Sequence, residues 1–312
     1  MKVPEQGANL LKKLNVYGVS LANNHIFDYG EKGVHDTLKV LNNKSLKHWG
    51  VGCNKKNACE PFIVDCNRIN IAIVSFAEHE FNWISDFEWC TSMLEPAANV
   101  LQIRQLMQTV DHVIVFTHLG PENCNYPSPR QVALFRNFID AGASAVLNSH
   151  SHSIMGMEIY KNKPIYYSLG NFFFPNKDMR KDWYNGLLVK LTFTKQEIKS
   201  DHFQVKFSDK EISIDEDIKS FQENFVLRSI NLKNDFFIRQ KWQEFGRQER
   251  RKLRNEVIKG IGAITLGILL QPFSQKFKEL RQRGLAILRD YFTCETHVEN
   301  IGNIINGEID YS

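Results

Sequence analysis

Short apolar runs alternate with amphipathic stretches through the first two thirds of the chain. Val16 to Leu21, Ile69 to Phe76 and Asp111 to Thr117 are rich in Val and Ile and bounded by polar residues, which predicts buried strands. Ala145-Val146-Leu147 and Pro164 to Tyr167 add two further strand-like runs. Tyr29 to Asn42 carries Val34, Leu38 and Leu41 on one face at helical spacing, and Glu5 to Leu14 is also helix-like. Asp28 followed by Glu31 predicts a capping box at the start of the first of these, with the Asp28 carboxylate on the free amides of the first turn. Ser128-Pro129 opens another helix with Val132, Phe135 and Ile139 facing inward, and Gly142 ends it. Strands alternating with helices predict an α/β fold whose mainly parallel sheet is covered on both faces. In such sheets ligands gather where the strands end.

Polar residues with ligand chemistry fall at those ends. His150-Ser151-His152 follows the Ala145 run, His118 closes the Asp111 run, and Asn23-Asn24-His25 follows the Val16 run. Two histidines two apart in an extended segment project to one face, so both imidazoles reach one ion or an adjacent pair. Together with His118 and Asn24, the pattern predicts a divided metal site. His35, His48, His79 and His202 lack such company and read as surface or packing residues.

The stretches VSLANNHIFDYGEKGVHDTLKVLNN, HWGVG, IVFTHLG and AGASAVLNSHSHSIMGMEIYKNKPIYYSLGNFFF resemble the CapA family of poly-gamma-glutamate capsule synthesis proteins over Val16 to Phe174. That family is similar to the calcineurin-like metallophosphoesterases. The resemblance implies a metallophosphoesterase-type α/β sandwich and a site for a pair of divalent ions. It implies Asn24, His118 and His150 as ligands of one metal, His152 as a ligand of its neighbour, and His25 as the catalytic imidazole that contacts phosphate or protonates the leaving group. It also implies substrate contacts from Asn23 and Asn171. Asn171 has a second reading, as part of a tight turn with Gly170, and Glu158 is either a carboxylate orienting a ligand histidine or a partner in a strand salt bridge. Imidazole ligands favour Mn, Zn or Fe.

The chain departs from the family at its start. No Gly-Asp precedes Asn23, and Glu5 is the sole carboxylate there. One expected metal position therefore keeps Asn24, His118 and His150 and the other only His152, and without a bridging carboxylate both carry too little negative charge for a stable pair. An amino-terminally truncated product lacking its first strand, a shortened homologue with one metal and a degenerate scaffold each fit this departure. The implied role is capsule or surface polymer synthesis with phosphoesterase-like hydrolase ancestry, or a noncatalytic accessory that binds the polymer or its synthase.

Composition narrows the remaining choices. At 312 residues with 43% hydrophobic content the chain can bury a substantial core, and a net charge of +4 gives no argument for nucleic acid. An anionic polymer or the synthesis machinery is the expected partner, with the oligomeric state left open. The six cysteines lack C-x-x-C pairing and read as separate thiols of a reducing compartment. No leader peptide is evident, and Ile261 to Leu270 falls short of the ~20 apolar residues a membrane span needs. These features predict a cytoplasmic chain, whereas family relatives are often membrane-anchored. Arg239 to Lys259 is dense in charge and Ile258 to Leu288 is amphipathic, which predicts a helical extension over 211–312 after a domain over 1–210. His297 in the tail is a surface histidine or one that approaches the site.

Overall fold

The computed structural model describes residues 2–80, 88–174, 181–208, 211–214, 219–270, 282, 284–287, 294 and 296. The chain opens with α1 (Gly7–Lys13), β1 (Gly18–Ser20), α2 (Gly30–Asn43), β2 (Lys47–Trp49) and β3 (Val51–Gly52). A single-turn α3 (Lys55–Ala58) leads to β4 (Phe62–Asp65), β5 (Asn70–Ala77), β6 (Cys90–Thr91), α4 (Pro96–Leu106) and β7 (His112–His118). Then come α5 (Pro129–Asp140), β8 (Ala145–Ser149), β9 (Met157–Tyr160), β10 (Lys163–Tyr166), β11 (Asn185–Phe193), β12 (Ile198–Phe207), β13 (Ile212–Ile214), α6 (Lys219–Asn231) and α7 (Asp235–Leu270).

Six strands form the central sheet in the order β4-β5-β7-β8-β10-β9. Its four middle strands run parallel, and β4 and β9 run antiparallel at the edges. The near-continuous apolar runs of β5 and β7 match strands buried on both faces. On one face Phe76, Val113 and Val115 pack with Phe135 and Phe138 of α5 and Ile103 of α4. On the other, Ile71, Ile114, Leu147 and Tyr166 meet Leu187 of β11 and Ile198 of β12. The second covering layer is thus the three-stranded antiparallel sheet β11-β12-β13, which makes the architecture a sandwich. A smaller core of Ala8, Leu21, Phe27, Val34 and Leu41 holds the amino-terminal elements together. Trp49 joins it to the central sheet by donating to Ser75 Oγ at 2.7 Å and stacking on Phe62.

Helix α5 begins and ends where its sequence predicts. Ser128 Oγ accepts from the Gln131 amide at 3.2 Å, Pro129 occupies the first turn, and Gly142 leaves the helix at φ +116°. The capping box expected at α2 does not form. Its N-cap is Tyr29, with no side-chain cap bond, and Glu31 instead accepts from the Trp89 amide at 3.0 Å. Asp28 turns to His25, an imidazole close enough to compete with the helix amides for the carboxylate.

Glu158 takes the salt-bridge role. Its two oxygens accept from Arg136 Nε and a terminal guanidinium nitrogen, each at 2.9 Å, and Tyr167 adds a hydroxyl at 3.1 Å. Arg136→Ala leaves this buried carboxylate without its charge partner. Breaking a fully buried pair costs about 3–5 kcal/mol, and Arg136, with 26% of its side chain exposed, brings the expected loss to about 2 kcal/mol. Urea unfolding measures it, and a loss below about 0.5 kcal/mol contradicts the role given to the pair.

Candidate metal centre

The carboxyl ends of the parallel strands deliver the site. β7 ends on His118, β8 stops at Ser149 just before His150, and β5 stops at Ala77, three residues before Glu80. Ligand atoms of Glu80, Glu122 and His150 all lie within 4.8 Å of one another. His150 Nε2 is 3.2 Å from Glu80 Oε2, and that same oxygen accepts from Asn24 Nδ2 at 2.6 Å. Asn24 Oδ1 lies 3.0 Å from His118 Nε2, and the His118 and His150 ring centres are 4.9 Å apart. The fold therefore brings Asn24, His118 and His150 together as expected from sequence. It adds two carboxylates that the sequence reading did not assign.

That addition overturns the expected shortage of negative charge. Glu80 and Glu122 come from loops after β5 and β7 rather than from the start of the chain, so the missing Gly-Asp does not leave the cluster without carboxylates. Glu80 had a signal: it follows a buried strand, as His118 does, within Glu78-His79-Glu80.

The His-x-His pair reaches the site by a route other than an extended segment. His150 and His152 have φ of +93° and +55°, a region that non-glycine residues rarely occupy and that is concentrated at functional sites. The loop still brings the two ring centres to 6.3 Å. His152 Nδ1 lies 2.7 Å from Asn171 Oδ1, its ring stacks on Trp183 at 4.3 Å, and its Nε2 is 4.0 Å from Glu122. Asn171 thus touches His152, while Gly170 supplies the positive-φ turn before it. Asn23 braces its own loop, accepting from the His25 amide at 2.9 Å and donating to the Leu21 carbonyl at 3.2 Å. His297 lies outside the described residues.

Hydrogen bonds one layer out set the imidazoles. His118 Nδ1 lies 3.0 Å from the Ser149 hydroxyl, which is itself 3.3 Å from the Thr117 carbonyl, while Nε2 faces the Asn24 oxygen at 3.0 Å. Metal-binding imidazoles are typically oriented through their other nitrogen in this way. The donor set of imidazole, amide and carboxylate is one that a divalent metal ion takes.

Burial holds His118 well below its usual pKa and pushes His150 down to about 4. Both are therefore neutral near pH 7, the form that binds metal. Each has a depressed pKa in the folded state and titrates near 6.5 when unfolded. The unfolded chain consequently takes up more protons as pH falls below 6.5, and stability is lost in that direction. Metal-free protein is expected to lose about 2 kcal/mol between pH 7 and pH 5.5. An unchanged urea midpoint over that interval contradicts the neutral assignment.

The profile of the family described as "Bacterial capsule synthesis protein PGA_cap" matches residues 1–176, more than half of the chain. The chain belongs to this family. Among PGA_cap relatives, the capsule biosynthesis protein CapA of Bacillus anthracis is 33% identical over 180 residues, covering 56% of this chain and 44% of the relative. The PGA biosynthesis protein CapA of Bacillus subtilis strain 168 is 30% identical over 177 residues, covering 56% and 47%. A "Probable polyglutamine synthesis accessory protein" of Mycobacterium tuberculosis is 27% identical over 175 residues, covering 52% and 46%. The matched part is less than half the length of each relative. The family, the mixed central sheet and the second sheet over it agree with the calcineurin-like sandwich expected from the sequence motifs. Among the described residues no helix is long and apolar enough to cross a membrane.

Proposed function

We propose that this PGA_cap chain uses a divalent metal centre for phosphoesterase-like hydrolysis in the synthesis of a poly-gamma-glutamate or related surface polymer. The observation that carries the reading is the convergence of Glu80, Glu122 and His150 within 4.8 Å, beside Asn24 and His118. In this reading Asn24, His118, His150 and His152 hold one or two ions of Mn, Zn or Fe together with the two carboxylates. A bound ion supplies Lewis-acid polarisation of a phosphoryl or acyl oxygen.

The remaining roles belong to side chains of the chain itself. His25 sits at the rim, half-buried, with Nδ1 3.0 and 3.1 Å from the two Asp28 oxygens. Asp28 orients the ring through Nδ1, and the imidazolium form gives its Nε2 proton to a leaving oxygen. Asn23 and Asn171 are the substrate-side amides of this reading, with Asn171 also orienting His152. Trp183 and Phe174 pack at 4.3 and 5.4 Å from the His152 ring and shield that side from water. The names of the relatives support an anionic polymer or its synthesis machinery as the partner.

The test is hydrolysis of a generic phosphodiester by purified chain, stripped by chelator and resupplied with Mn2+, Zn2+ or Fe2+. Turnover that disappears on stripping and returns with one of these ions is expected. Absence of turnover with metal bound contradicts the hydrolase reading and favours a noncatalytic accessory role.

A further inference from the structure

Behind the metal-ligand cluster lies a second polar knot, centred on a buried carboxylate, that the hydrolytic roles leave unused. Glu78, 2% exposed, accepts from the Gly120 amide at 2.9 Å and pairs with the Arg130 guanidinium. The third group on it comes from the far end of the chain. Thr296 Oγ1 lies 2.8 Å from both Glu78 oxygens and 3.1 Å from Arg130, across 218 residues of sequence from Glu78. Thr296 and Cys294, the two described residues of that stretch, are 6% and 1% exposed.

The position of Glu78 gives the knot its consequence. It precedes Glu80 by two residues, and its carboxylate grips Gly120, which precedes Glu122 by two residues. Glu78 is therefore a strut between the two loops that carry the carboxylates of the centre. Gly120 has φ +103°, and a Cβ there would stand 2.8 Å from Gln131 Oε1, so the turn it anchors is tight. The Asn123 amide in turn donates to the Ser151 carbonyl at 2.7 Å, which ties the same loop to the histidine pair. A buried carboxylate needs its hydrogen-bond donors to hold one position. The Thr296 hydroxyl adds a donor from the far end of the chain beside the Arg130 guanidinium of α5.

We propose that Thr296 is a positioning residue: by hydrogen bonding to Glu78 it fixes the Gly120–Glu122 turn and so sets the spacing of the Glu80 and Glu122 carboxylates. This rests on the metal-centre reading given above for the effect on affinity, and on the hydrogen bonds alone for the effect on the turn. Thr296 is then part of the site although the family match ends at residue 176.

The test compares Thr296→Val, which keeps the shape and removes the hydroxyl, with Thr296→Ser, which keeps the hydroxyl, in the full chain. Hydrogen exchange over residues 119–124 is measured without metal, and Mn2+ affinity by titration calorimetry. Thr296→Val is expected to speed exchange in that segment at least about fivefold and to weaken Mn2+ binding about tenfold, the range typical of groups one layer behind a metal ligand. Thr296→Ser is expected to restore both. Unchanged exchange in Thr296→Val, unchanged Mn2+ affinity despite faster exchange, or a serine variant as impaired as the valine overturns the proposal. If wild-type protein binds no Mn2+, the metal-centre reading fails, and the exchange comparison still decides whether Thr296 positions the turn.

Discussion

Replacing Glu80 by Gln weakens Mn2+ binding at least about 100-fold while the metal-free protein stays folded. Glu80 Oε2 touches both Asn24 and His150 and sits in a side chain only 9% exposed. Gln keeps the volume and one oxygen but removes the charge where water screens it least, and the cluster loses one of its two carboxylates. Groups one layer behind a ligand are already worth about 10- to 100-fold in affinity, so a ligand carboxylate is expected to exceed them. Titration calorimetry on the variant and the wild type measures the difference. Affinity within tenfold of wild type removes Glu80 from the ligand set.

His25→Ala is expected to lower phosphodiester turnover about 1000-fold with metal content unchanged. Its ring is at the rim rather than in the cluster, 31% exposed by side chain, with Nδ1 held by Asp28. Burial depresses its pKa, which makes the imidazolium a stronger acid toward a leaving oxygen and a scarcer form as pH rises. A positioned acid or base contributes about 10²–10⁴-fold. Elemental analysis beside the rate separates the two roles: loss of metal makes His25 a ligand, and unchanged turnover removes it from the chemistry.

The site was readable in sequence to the extent that strand ends announce themselves. His118 closes a Val/Ile run and His150 and His152 follow another, so the parallel central sheet brings them to the carboxyl ends of its strands, whereas Asn24 follows β1 of a separate two-stranded sheet and reaches them from there. Glu80 obeys the same rule after β5, but His79 beside it drew the reading toward an ordinary surface histidine. Glu122 lies in a loop with no periodicity to place it. Asp28 bonds His25 rather than capping α2: a capping carboxylate and a histidine partner have the same local signature, and only the three-dimensional path of the loop chooses between them. The left-handed backbone at His150 and His152 and the 218-residue contact of Thr296 with Glu78 are set by tertiary packing, for which the sequence carries no local pattern. The second sheet escaped for a different reason. Its long strands β11 and β12 alternate between buried and exposed residues through much of their length, a weaker mark than the continuous apolar runs of the central strands.

The central claim is that the histidines and carboxylates at the strand ends hold metal. Elemental analysis of purified, Mn2+-reconstituted chain beside His150→Ala tests it most directly. The account predicts one or two divalent ions per wild-type chain and their loss in the variant; a wild-type chain that retains none, or a variant that retains as many, contradicts it.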